Sequence, residues 1–186
     1  MYLSPANGPL RLILRSIVVG NETLLQYLLS KGADPNGLDD FDKIPLGLCS
    51  SWEAIEMLID YGADISRANL LHDATDISDD GECIKRMELV LGKGVDINAR
   101  ALYPGHAEPG SQVYNYGMRL TGNEGTALHW AVRGFKTRPE VNRVPRVKWL
   151  LERGADKDIQ DNTGLKPIDY ASDQEMINLL SNEYCG

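Results

Sequence analysis

The chain has 186 residues, 42% of them hydrophobic and 25% charged, with a formal charge of −8. That length and balance suit one globular domain with a sizeable core and exclude a disordered chain. The acidic balance argues against generic nucleic-acid binding, which needs a basic surface, and no apolar run approaches the roughly 18–20 residues that span a bilayer.

The opening stretch, MYLSPANGPLRLILRS, has no basic n-region and no small-residue cleavage site, so no signal peptide is expected. Cys49, Cys83 and Cys185 are too scattered for a disulfide framework, which makes a reducing, intracellular setting (cytoplasmic or nuclear) the default. Without a secretory signal, the glycosylation sequon at Asn21 carries little weight.

Further along, one pattern recurs. YLLSKGADPN at 27–36, MLIDYGADIS at 57–66, LVLGKGVDIN at 89–98 and WLLERGADKD at 149–158 share paired apolar residues, a glycine and an acidic turn residue. Each predicts a helix that ends on a left-handed glycine, Gly32, Gly62, Gly94 or Gly154, followed by a turn. A second motif precedes most of them: IPLGLCS at 44–50, NLLHDAT at 69–75, TALHWAV at 126–132 and KPIDYAS at 166–172. Its small residues, Cys49, Ala74, Ala131 and Ala171, suit a first helix packed closely on its neighbour. Neither helix of such a unit buries its apolar side alone, so the units must stack.

These segments resemble the ankyrin repeat, whose signature runs D-x-x-G-x-T-P-L-H-x-A-A and closes on G-A-D-x-N. DNTGLKPIDYA at 161–171 is the best copy, with Asp161, Gly164 and Pro167 at the family positions. The resemblance implies an all-α ankyrin-repeat solenoid of stacked helix-turn-helix units with hairpin-like finger loops. It divides the chain, as a single domain over 1–186, into units of about 8–36, 37–66, 67–98, 99–158 and 159–186. The first and last are degenerate, as terminal repeats are. Unit three nearly lacks its finger, with only Arg67 and Ala68 between its motifs, whereas unit four carries an insertion at 101–124 and an enlarged helix–helix loop at 133–146. Pro145 is expected to open the second helix of that unit.

Tests for chemistry are mostly negative. There is no phosphate-binding glycine loop, no nucleophile elbow and no H-E-x-x-H pair, and the three histidines and three cysteines never reach metal-ligand spacing. Within DISDDGECIKRME, Asp76, Ser78, Asp80 and Gly81 imitate a calcium loop, but Met87 stands where a bidentate glutamate is needed. A solvated acidic loop is the expectation there. His72 and His129 occupy equivalent positions, and the resemblance assigns both to structural turns that hydrogen-bond to backbone across adjacent repeats. Trp130 is read as packing between repeats. No catalytic residue, metal or cofactor is expected.

The same resemblance implies a non-catalytic protein–protein interaction module, a scaffold, adaptor or targeting subunit, that binds another protein through the concave finger and first-helix face. The candidates are Phe41 and Lys43 in the second finger, beside Asp40, then Trp52, and Asn162 in the fifth finger, beside Thr163 and Leu165. Tyr103, Tyr114 and Tyr116 in the insertion add large aromatic area at low entropic cost. Arg133 opens a basic stretch that runs to Arg153 and carries a net charge of +5, leaving −13 on the rest. It could dock an acidic partner or pair with the acidic loop at 73–82, and pairing within the molecule is favoured. The alternative function is a small-molecule or catalytic pocket between the insertion and the concave face, motivated by His106 and Glu108. Neither nucleic acid nor membrane is an expected partner, and a monomer is expected.

Overall fold

The computed structural model describes residues 8–37, 44–49, 51–101, 125–134 and 141–181. Among these the regular elements are helical, with one isolated antiparallel bridge between Arg100 and Thr126. The chain divides into two compact units, Met1–Ala68 and Asn69–Gly186.

In the first unit, α1 (Gly8–Val18) is followed by α2 (Glu22–Ser30), a 3-10 turn at Pro45–Leu48, α3 (Trp52–Asp60) and a second 3-10 turn at Ile65–Arg67. Asn21 caps α2 by accepting the Leu24 amide at 2.9 Å, and Ser51 caps α3 by accepting the Ala54 amide. The Ser51 hydroxyl also donates to the Glu22 carboxylate at 2.6 Å, which joins the starts of the two helices. Ile13 and Ile17 of α1, Leu25 and Leu29 of α2, and Ile55 and Leu58 of α3 are buried with Leu46 as the core. Burying each contributes about 1.5–3 kcal/mol.

In the second unit, α4 (Leu70–Ala74), α6 (Ala127–Arg133) and a 3-10 turn at Pro167–Tyr170 form one layer. The other layer is α5 (Asp80–Gly92), α7 (Val144–Glu152) and α8 (Gln174–Leu180). Leu71, Cys83, Met87, Leu128, Val147 and Leu150 fill the space between them, and Ala74 and Ala131 are fully buried where their small size permits close approach. Pro145 lies at the start of α7. The repeat glycines Gly32, Gly62, Gly94 and Gly154 all adopt φ between 84° and 90°, the left-handed region that ends a helix.

Three features differ from the sequence expectation. The first helices of units two and five are single 3-10 turns. Each opens on proline, and the N-cap of the next helix, Ser51 or Asp173, stands only a few residues further on. The calcium-like stretch is not a solvated loop. Helix α5 starts at Asp80 under an Asp79 cap, so Gly81 and the buried Cys83 are helical. The charge pairing is more buried than a surface contact: Arg146 is fully enclosed and donates to the carbonyls of Thr75 (2.8 Å) and Ile77 (2.7 Å) and to the Asp80 carboxylate. Arg143 lies 3.8 Å from the Asp76 carboxylate, with its guanidinium across the face of Gly134.

The repeat-closing turns are joined by side chains. Asn36 accepts the Asp64 amide at 2.7 Å and donates to the Gly62 carbonyl at 2.9 Å. Asn98 repeats the arrangement on Asp156 and Gly154. At the equivalent position Ser66 donates instead to Asp64 of its own turn. The Ala101 amide donates to the Gly125 carbonyl at 3.0 Å.

Candidate binding face of the second unit

The third residue of each first-layer element is His72 in α4, His129 in α6 and Asp169 in the Pro167–Tyr170 turn. Both histidines are almost wholly buried. His72 Nε2 lies 3.2 Å from the Gly125 carbonyl, and His129 Nε2 lies 3.2 Å from the Leu165 carbonyl. A carbonyl only accepts, so each Nε2 carries the proton. The Nδ1 of His129 accepts the Thr126 amide at 3.0 Å, and the Asp169 carboxylate accepts the Lys166 amide in the corresponding place at 2.7 Å. Burial pushes the His72 pKa down to about 4 and lowers that of His129 as well. Both rings are neutral and committed to backbone, so neither is poised for proton transfer.

The next residue along each element is less enclosed: Asp73 is exposed, and Trp130 and Tyr170 are half-buried. The Trp130 ring meets His72 edge-on at 5.3 Å, and Tyr170 meets His129 edge-on at 6.2 Å. The exposed Arg133 guanidinium lies 5.8 Å from the Tyr170 ring centre, within cation–π range. The Tyr170 hydroxyl donates to Asp161, which also accepts the amides of Thr163 and Leu165 and the Thr163 hydroxyl. Burial works against the Asp161 charge, but these donors more than offset it and hold the carboxyl at about 2. The fifth finger is thereby fixed, with Asn162, Thr163 and Leu165 exposed around Asp161.

Of the residues singled out in the sequence, Arg133 and Asn162 lie on this unit, one at the end of α6 and the other in the fifth finger. Trp52 is the first residue of α3 in the first unit and is half-buried. Phe41, Lys43, Tyr103, Tyr114 and Tyr116 fall outside the described residues, as do Asp40, His106 and Glu108. Sequence reasoning missed Tyr170 as a half-buried aromatic of this face and Arg146 as a buried clamp. The signal for Tyr170 was its alignment with Trp130, one place after the histidine position. For Arg146 there was only the local excess of charge. Among the described residues, no group of histidine, cysteine, aspartate and glutamate is placed to hold a metal ion.

Two stacked helical layers, positive-φ closing glycines and histidines that tie one turn to the next define a helical-repeat protein. Residues 123–162, which contain α6 and α7, match the family model of the ankyrin repeat. That segment is an ankyrin repeat, and the all-helical units are consistent with the same family. No curated protein matches the chain. Ankyrin repeats are in general protein–protein interaction modules and typically non-catalytic. Among the described residues, no helix is long and apolar enough to cross a membrane.

Proposed function

We propose that the chain is a non-catalytic binding module that docks another protein on the first-layer face of its second unit. Asp73, Trp130, Arg133 and Tyr170 provide the surface, with Asn162 of the fifth finger at its margin. The insertion at 101–124, with Tyr103, Tyr114 and Tyr116, extends the interface from its base at Ala101 and Gly125. Phe41, Lys43 and Trp52 serve the same role on the first unit, while His72 and His129 are structural.

One observation carries this reading. The histidines are spent on backbone carbonyls, whereas the residue after each, Asp73 or Trp130, and the one after Asp169, Tyr170, keep surface exposed; Trp130 and Tyr170 are aromatic and are met edge-on by the two histidine rings. A pre-formed aromatic anchor loses little entropy on binding, which favours affinity. The thiols of half-buried Cys49 and buried Cys83 are pushed up to about 12 and about 11 by burial, which keeps both protonated and unreactive.

The test is affinity capture from cell extract with quantitative mass spectrometry, comparing the intact chain with a form in which a two-residue turn replaces 102–124. Proteins captured by the intact chain and lost from the shortened one are the expected result. Equal capture by both would remove the insertion from the interface. If no protein is captured but small apolar ligands raise the Tm, a pocket replaces the docking face.

A further inference from the structure

We infer that Asn36 is a site of spontaneous covalent modification, and that its conversion undoes one of the two side-chain bonds by which Asn36 joins the closing turns of the first unit. Asn36 is followed by Gly37, a residue without the Cβ that ordinarily shields the backbone amide from the preceding side chain. In such a pair the Gly37 amide nitrogen, once deprotonated, attacks Asn36 Cγ. A C–N bond closes a five-membered succinimide, the Cγ–Nδ2 bond breaks, and ammonia leaves with the proton it needs. Water then opens the ring at either carbonyl and yields aspartate or isoaspartate. No oxidant, metal or enzyme is required; solvent water is the co-reactant.

The molecule contains its own control. Asn98 holds the same place in its repeat and makes the same pair of contacts, accepting the Asp156 amide at 2.8 Å and facing the Gly154 carbonyl at 3.5 Å. The residue after it is Ala99, whose amide donates to the Asp96 carbonyl at 3.0 Å. The Gly37 amide reaches the corresponding Asp34 carbonyl only at 3.5 Å. Both the missing Cβ and the weaker hold on the attacking nitrogen therefore distinguish Asn36 from Asn98.

Asn36 Nδ2 is the donor to the Gly62 carbonyl, and its loss puts a carboxylate oxygen against that carbonyl. The bond from the Asp64 amide to the remaining oxygen survives in aspartate. In isoaspartate the main chain lengthens by one atom, and the side chain no longer reaches both partners. Gly62 and Asp64 form the turn that closes α3, so the modification loosens that turn from the one before it.

The experiment incubates the full chain, folded and in urea, at mildly acidic and mildly alkaline pH, and follows each asparagine by peptide mapping with mass spectrometry that resolves isoaspartate. The peptide with Asn36 is separated from the one with Asn7–Gly8, the other Asn-Gly pair in the sequence. In the folded protein, Asn36 converts several-fold faster than Asn98 and faster at alkaline pH, and Gly37→Ala abolishes the difference. Asn36→Asp lowers the Tm, as does the converted fraction of the natural chain isolated by ion exchange. An Asn36 that stays intact in the folded chain while the urea-unfolded chain converts overturns the inference, and so does equal conversion of Asn36 and Asn98. An unchanged Tm in both the variant and the converted fraction overturns the structural consequence.

Discussion

His129 faces the Leu165 carbonyl from Nε2 at 3.2 Å while its Nδ1 accepts the Thr126 amide at 3.0 Å, so one ring joins the start of α6 to the finger beyond it. Gly125 lies directly against this ring; an added Cβ there would come within 2.6 Å of it. His129→Ala orphans a buried amide and a carbonyl and is expected to lower stability by roughly 1–3 kcal/mol. Urea unfolding measures the loss, and partner binding should persist below the new Tm. Lost binding in a fully folded variant would move His129 from scaffold to interface.

Acidification acts through the same rings. The folded pKa of His72 is about 4, below its ordinary 6.5, and that of His129 is lowered too. A lowered histidine pKa means the folded state resists protonation, so this contribution is complete above about pH 6.5 and fades as the pH falls towards about 4. For His72 it amounts to about 3 kcal/mol at most. Asp161, at about 2 against an ordinary 3.8, loses its contribution only in a more acidic window. Asp73, held at about 6 by the lost hydration of its carboxyl and by the Asp76 charge, acts in the opposite direction over the same range. The histidine contribution is therefore read as a difference: by urea unfolding, the natural chain's stability advantage over His72→Gln should shrink as the pH falls from about 6.5 towards 4, and an advantage that grows on acidification would contradict the assignment.

Arg146 clamps the start of α5 from α7, serving two carbonyls and the Asp80 carboxylate. Removing one partner of a buried pair leaves the other uncompensated, so Arg146→Met should cost about 3–5 kcal/mol. Arg146→Lys keeps the charge but lacks the planar fork, and most of the loss should remain. A lysine variant as stable as the natural chain would show that charge alone suffices.

Ala101 and Gly125 meet through a backbone hydrogen bond beside the Arg100–Thr126 bridge, the geometry at the base of a two-residue hairpin. Replacing 102–124 by Asn-Gly should therefore preserve the helical circular-dichroism spectrum and leave the Tm nearly unchanged. Unfolding of this shortened chain would mean that the insertion is part of the scaffold.

The repeat fold was legible because its punctuation is local. Gly32, Gly62, Gly94 and Gly154 end helices through their own φ, and the equivalence of His72 and His129 needs only alignment. The pairing of basic and acidic loops was also visible as charge. Its burial was not, because enclosure of Arg146 depends on how α5 and α7 pack. Periodicity does not distinguish an α-helix from one 3-10 turn over four residues, so Pro45–Leu48 and Pro167–Tyr170 were read as helices. The candidate face was half legible: Arg133 and Asn162 stood out as exposed polar residues, but the half-buried aromatic row required the edge contacts that histidines make with the next repeat.

Trp130, Arg133 and Tyr170 form the proposed docking surface. Its most direct measurement is a calorimetric titration of a captured partner against the natural chain, Trp130→Ala and Arg133→Glu, each first verified as folded by circular dichroism and Tm. Trp130→Ala is expected to weaken Kd at least tenfold, about 1.4 kcal/mol, and Arg133→Glu to cause a smaller, more salt-dependent loss. Affinity unchanged in both folded variants would contradict this assignment and place the interface elsewhere on the chain.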